Sequence, residues 1–191
     1  ATVGVNNVVT AAADSVIVAG TALKTLTVDA SGKASNIVLS AAAIETLNIT
    51  GKGDLIFVAP AAVKTVDGSK AEGDLKFSNT TSMTSIKTGS GNDKVTLAVA
   101  VESGETINLG AGNDKLVAGA GTIAAGSIID GGAGIDSLDA ALVTAGNARV
   151  FADFETLSLT ATAADLDLNL VNKSTFTTIA IDGAASSTVR N

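Results

Sequence analysis

The sequence has no cysteine, histidine, tryptophan or tyrosine, and a single proline and a single methionine. Without Cys and His there is no disulfide, no thiolate or imidazole nucleophile or base, and no zinc site of the usual structural kinds. Missing disulfides do not place the chain inside a cell, because an exported protein need not use them. Aromatics are 3% of the chain, five Phe in all. The interior must therefore be built from Val, Ile, Leu and Ala, and such uniform side chains suit stacked, near-identical layers better than a jigsaw core. Positive charge is also scarce: 12 Lys and Arg against 19 Asp and Glu leave a formal charge of −7. That balance argues against nucleic acid and anionic membrane surfaces as partners and makes cations the natural counterpart. The apolar run Val95-Thr-Leu-Ala-Val-Ala-Val101 is far short of the roughly 20 residues that span a bilayer, so no membrane span is expected. The first residues, Ala1-Thr-Val-Gly-Val5, have no charged n-region leading into an apolar one. The chain begins without Met and stops abruptly at Asn191, so it reads as a fragment of a longer protein, with any export signal outside it.

What is present is a repeat. Segment 1–22 reads as an atypical capping coil. From there a pattern of an apolar residue, two polar ones and another apolar residue recurs, as in Leu23-Lys-Thr-Leu26, Ile44-Glu-Thr-Leu47, Val63-Lys-Thr-Val66 and Met83-Thr-Ser-Ile86. Taking Leu26, Leu47, Val66, Ile86, Ile107, Ile129, Leu157 and Ile179 as equivalent, the steps are 21, 19, 20, 21, 22, 28 and 22. Each unit carries a second short apolar run, such as Leu55-Ile-Phe-Val58 or Val95-Thr-Leu97. A period near 20 with two strand-like runs per unit is the mark of a solenoid. The expected fold is all-β, one continuous domain over residues 1–191: a right-handed parallel β-solenoid of about eight coils. A β-sandwich also yields alternation and regular turns, but has no reason to hold Ile86, Ile107 and Ile129 each seven residues ahead of an Asp. The long step contains Ala140 to Phe151, where a bulging loop or short helical turn is expected.

Those three Asp residues end three glycine-rich loops: Thr88-Gly-Ser-Gly-Asn-Asp93, Leu109-Gly-Ala-Gly-Asn-Asp114 and Gly131-Gly-Ala-Gly-Ile-Asp136. Glycines at alternate positions allow φ > 0 and let carbonyls turn inward, while the Asp adds a carboxylate. Carboxylates stacked at one coil spacing of about 4.8 Å repel unless a cation lies between them. Lys94 and Lys115 follow two of the Asp residues, but in a strand a neighbour points to the opposite face. Calcium takes six to eight oxygen ligands in adaptable geometry, whereas magnesium keeps its waters. The expected metal ligands are Thr88, Gly89, Gly91 and Asp93; Leu109, Gly110, Gly112 and Asp114; and Gly131, Gly132, Gly134 and Asp136. One Ca2+ is expected between the first and second loops and one between the second and third, with Asp114 shared.

Gly89-Ser-Gly-Asn-Asp-Lys-Val95, Gly110-Ala-Gly-Asn-Asp-Lys-Leu116 and Gly131-Gly-Ala-Gly-Ile-Asp-Ser-Leu138 resemble the calcium-binding nonapeptide of RTX proteins. That resemblance, over residues 88–138, implies a parallel β-roll with calcium between coils and type I secretion. Only the third copy has both leading glycines, and the motif recurs once per coil, so calcium is expected along one edge only. The Ala/Thr/Val/Gly-rich coils around it resemble calcium-binding S-layer proteins of Gram-negative bacteria. This implies a structural protein of the extracellular cell surface whose partners are copies of itself in a two-dimensional lattice, with cell-surface polysaccharide held through another region. The rival is an RTX accessory domain of a secreted adhesin or enzyme.

Two lesser candidates read as ordinary structure. Gly51-Lys-Gly-Asp54 and Gly73-Asp74 resemble degenerate loops, but Lys52 argues against a metal. Asp165, Asp167 and Asn169 alternate with leucines as on a half-buried strand. No Gly-x-Ser-x-Gly elbow or triad spacing occurs, and few aromatics are available to stack on a sugar, so no enzymatic activity is expected.

Overall fold

The computed structural model describes residues 2–4, 14–17, 23–32, 35–40, 43–159, 166–171, 173–181 and 189–190. Within them the chain alternates between two long sheets. Sheet 1 contains Thr2–Gly4, Thr25–Asp29, Thr46–Gly51, Thr65–Ala71, Ser85–Lys87, Thr106–Asn108, Ile128–Asp130 and Phe151–Ala152. Sheet 2 contains Asp14–Ile17, Ser35–Ser40, Leu55–Val58, Leu75–Ser78, Lys94–Leu97, Lys115–Ala118, Ser137–Asp139, Thr156–Leu159 and Thr178–Ile181. Neighbouring strands in both sheets pair in parallel, so each coil lies directly on the last. This is a parallel β-solenoid, and the parallel register excludes the sandwich.

Alternation within each strand builds the interior. In Thr25–Asp29, Leu26 and Val28 are buried while Thr25 is exposed. The inward residues of successive coils stack into columns: Leu26, Leu47, Val66, Ile86, Ile107 and Ile129 on sheet 1, and Phe57, Phe77, Val95, Leu116 and Leu138 on sheet 2. The Phe57 and Phe77 rings lie 4.8 Å apart at 10°, the separation that the coil rise imposes. Burying each such side chain contributes about 1.5–3 kcal/mol.

The sheet 1 column does not continue as the sequence suggested. Ile129 pairs with Phe151, a step of 22, whereas Leu157 pairs with Leu138 in sheet 2, and Ile179 with Leu157. The apparent step of 28 is thus a change of sheet. Between Ser137–Asp139 and Phe151, where a bulging loop or a short helical turn was expected, the chain forms two 3-10 turns, at Ala140–Leu142 and Ala148–Val150. Asn147 is buried there and donates to the carbonyls of Ile123 at 2.8 Å and Leu142 at 2.9 Å. Coil length is therefore kept while one corner is rebuilt.

At the ends, Thr2–Gly4 and Asp14–Ile17 add one strand to each sheet, pairing with Thr27–Asp29 and Ile37–Ser40. The leucine alternation near Asp167 ends as a 3-10 turn at Leu168–Leu170, and Asp165 lies outside the described residues. Among the described residues no helix is long and apolar enough to cross a membrane.

Candidate metal centre

The three glycine-rich loops connect sheet 1 to sheet 2 in successive coils and stack at one corner. Ala111 and Ala133 form a parallel bridge between the second and third loops. Gly110 and Gly112 have φ of +89° and +129°, and Gly132 and Gly134 of +96° and +145°, a region in which only glycine is unstrained. A Cβ on Gly134 would also run into the Gly112 carbonyl oxygen. In the first loop Gly89 and Gly91 do not adopt positive φ, so that loop turns differently from the other two.

Asp93, Asp114 and Asp136 close these loops and are 1%, 0% and 0% exposed. They stand at the register position occupied one coil earlier by the buried Leu75, so the column passes from hydrocarbon to carboxylate. Each carboxylate reaches back one coil. Asp93 Oδ1 accepts from the Leu75 N–H at 2.7 Å, Asp114 Oδ1 from the Asp93 N–H at 2.7 Å, and Asp136 Oδ1 from the Asp114 N–H at 2.8 Å. The ladder continues past the motif, for Glu155 Oε2 accepts from the Asp136 N–H at 2.8 Å.

A second ladder runs beside it on the exposed side, in the opposite direction. Asp54 Oδ1 accepts from the Asp74 N–H at 2.9 Å, and Asp74 Oδ1 from the Asn92 N–H at 2.8 Å. Asn92 Oδ1 then accepts from the Asn113 N–H at 2.8 Å, and Asn113 Oδ1 from the Ile135 N–H at 2.9 Å. Asp54 and Asp74 are thus in register with Asn92 rather than with Asp93, which accounts for them as turn-stacking residues. Lys52 points away and pairs with Glu72 at 3.2 Å. Lys94 and Lys115 are exposed on the outer face of sheet 2, at matching positions of adjacent strands.

The three buried carboxylates are not equivalent. Both oxygens of Asp93 are engaged, since Oδ2 accepts from the Gly89 N–H at 3.2 Å. The residue opening that loop, Thr88, is buried and donates its hydroxyl to the Leu109 carbonyl. In the second and third loops the opening residue is Leu109 or Gly131, neither of which has a polar side chain. There Asp114 Oδ2 and Asp136 Oδ2 are buried with no hydrogen-bond partner. Burial pushes the Asp114 carboxyl up to about 7, against the Asp93 N–H bond, with the charges of Asp93 and Asp136 adding to the rise. Asp136 is pushed up to about 6, again chiefly by burial, with Glu155, Asp130 and Asp153 adding to it. Asp93 is also raised by burial.

Two orphaned buried carboxylate oxygens in adjacent coils fit a divalent cation, because an unpaired buried charge is costly and an ion removes that cost. Among the described residues no three Asp, Glu, His or Cys side chains converge as a metal-holding group. Any ion here must therefore complete its shell with loop carbonyls and water, as calcium readily does. The sequence reading missed Glu155, having taken Leu157 as the repeat equivalent of Ile129, whereas Leu157 pairs with Leu138. Its signal is the run of an acid, any residue and an apolar residue: Asp93-Lys-Val95, Asp114-Lys-Leu116, Asp136-Ser-Leu138 and Glu155-Thr-Leu157.

Fold and corner together define a parallel β-solenoid with a buried carboxylate ladder along one edge. No family model, no curated protein and no solved structure matches the chain.

Proposed function

We propose that this chain is a calcium-stabilised structural segment of a secreted bacterial surface layer, whose coils bind Ca2+ at the loop corner and whose copies assemble into a two-dimensional lattice. The observation that carries the calcium reading is the pair of buried, partnerless oxygens, Asp114 Oδ2 and Asp136 Oδ2, stacked in successive coils. Asp114 and Asp136 would supply the charge, and the carbonyls of the second and third loops the neutral ligands. Asp93, with both oxygens bonded to backbone, would chiefly anchor the ladder. A bound ion would tie successive coils and link metal binding to folding. Extracellular calcium modules bind with Kd of about 10⁻⁴–10⁻³ M, which leaves such a chain soft in a low-calcium cytoplasm and rigid outside.

The surface-layer role is supported by the resemblance of the motif and of the aromatic-poor coils. The test is electron microscopy of the purified chain in about 5 mM CaCl₂, above that Kd range, and in excess EGTA, with circular dichroism and melting followed in parallel. Ordered sheets that appear only with calcium support the reading. Calcium-dependent melting without sheets favours the accessory-domain alternative, and melting indifferent to EGTA overturns both.

A further inference from the structure

The outer face of sheet 2 changes character along the solenoid. Ile56, Lys76, Lys94 and Lys115 succeed one another in one outward column, and Val58, Ser78, Thr96 and Val117 in the column beside it. We infer that this face docks a second copy of the chain, its apolar end receiving the exposed Ile135 at the neighbour's loop corner and its lysine row the acidic residues around that corner. The inference rests on the surface-layer reading above for the existence of contacts between copies, and adds which faces make them.

Three observations carry this. Val38, Ile56 and Val58 are 51%, 46% and 53% exposed, and with Ala59, Pro60 and Ala61 they line a groove of about 490 Å3. Past Ile56 it runs on into a second hollow bordered by Lys76 and Lys94, so apolar surface passes directly into positive charge. An exposed apolar patch rimmed by polar residues marks an interaction surface. Second, Lys76, Lys94 and Lys115 stack at one coil spacing, about 4.8 Å, and like charges directly opposite one another destabilise a sheet. Lys76 is relieved by Asp74 at 3.4 Å, but among the described residues Lys94 and Lys115 have no ion pair. Asp139 borders the hollow beside them, yet it is buried, with Oδ1 accepting from the Ala141 N–H at 3.0 Å and Oδ2 from the Ala118 N–H at 3.2 Å. Two uncompensated positive charges thus stand in a row on a chain of net charge −7. Third, the chain itself carries the complement. Ile135 ends the exposed ladder of Asp54, Asp74, Asn92 and Asn113, has no side-chain oxygen with which to extend it, and is 62% exposed. Asp153, exposed, and Glu155, half-buried, follow in the next coil. An apolar side chain beside acids on one face and an apolar groove beside lysines on another match in both polarity and charge. Because the two faces differ, the contact is heterologous and can repeat from copy to copy, as an extended sheet requires.

The test is sedimentation velocity of the whole chain in excess CaCl₂, with carbodiimide crosslinking of mixed isotope-labelled and unlabelled chains read by mass spectrometry. The variants are Lys94→Glu with Lys115→Glu, and Ile135→Asn. Lys70→Glu with Lys87→Glu, on exposed residues of sheet 1, makes the same change of charge away from the groove and serves as the control. All these side chains are exposed, and melting with and without calcium checks that fold and metal corner are intact. Expected are crosslinks between copies from Lys94 or Lys115 to Asp153 or Glu155. Self-association should weaken at least about tenfold in the lysine pair and in Ile135→Asn, and not in the control. Wild-type assembly by both folded variants, or crosslinks between copies through other faces only, overturns the inference and leaves the surface-layer reading standing. Intact assembly of the lysine pair with loss of binding to phosphatidylglycerol vesicles assigns the groove to an anionic amphiphile and overturns it as well. A wild-type chain that stays monomeric in calcium overturns both.

Discussion

The backbone N–H of Asp93 donates to Asp114 Oδ1 at 2.7 Å, across the gap between two coils and with both residues buried. One carboxylate is thus divided in two: Oδ1 fastens the coils, and Oδ2, buried without a partner, is the oxygen proposed to meet a cation. Substitutions separate the tasks. Asp114→Ala removes the acceptor, leaves a buried N–H unpaired, and is expected to destabilise the chain by about 1–3 kcal/mol even without metal. Asp114→Asn retains an acceptor oxygen and discards the buried charge. Urea melts should place it at or above wild type in EGTA and below wild type in calcium.

The raised carboxyls predict the pH dependence of the calcium-free chain. A group whose pKa is higher folded than unfolded binds more protons in the folded state, so stability falls as pH rises. Asp114, at about 7 when folded against an ordinary 3.8, and Asp136, at about 6, contribute fully below pH 3.8 and progressively less up to neutrality. Asp67, held below its ordinary value chiefly by the Ser69 hydroxyl, acts only at lower pH and does not oppose this trend. In EGTA the melting temperature should be higher at pH 4.5 than at pH 7.5. Excess calcium should rescue the higher pH selectively, because the ion binds the ionised form. A chelated protein that melts higher at pH 7.5 than at 4.5 contradicts the assignment of these carboxyls as uncompensated.

Two glycines with positive φ provide a matched pair. Gly104, φ +87°, has open space where a Cβ would go, whereas Gly134, φ +145°, would drive one into the Gly112 carbonyl. Gly104→Ala should cost only backbone strain, about 1 kcal/mol. Gly134→Ala should cost more, since the loops must separate, and should also weaken calcium binding. Equal losses of stability with unchanged calorimetry would mean that loop stacking does not shape the metal corner.

A fourth prediction concerns coil stacking away from the proposed metal corner. Asn79 is buried, accepts from the N–H groups of Ala98 at 2.8 Å and Val99 at 3.2 Å, and donates to the Val99 carbonyl at 2.9 Å. Asn79→Ala leaves these groups unpaired and is expected to lower stability by about 1–3 kcal/mol. Calcium stoichiometry should be unchanged, which makes it the control for nonspecific loosening of the loop variants.

The difference between Glu45 and Glu155 shows where sequence reading stops. Both open the tripeptide Glu-Thr-Leu, and both tripeptides lead a strand of alternating residues. Leu47 stacks in sheet 1 and Leu157 in sheet 2. A local pattern of period two records that a residue faces inward, but not which of two inward faces receives it. The choice depended on the two helical turns between Asp139 and Phe151, which used up residues that the repeat count had assigned to a lengthened coil.

By itself the sequence determined the solenoid and three loops in register, each ending in an acid, because period, glycine placement and the fixed interval from Ile to Asp are all local quantities. Tertiary structure alone decided that Asp93 is fully bonded while Asp114 and Asp136 each keep a free oxygen. It also decided that the ladder runs on to Glu155 and that these two acids are buried with Asp93. These are relations between coils about twenty residues apart, set by stacking register and by the side chain that opens each loop.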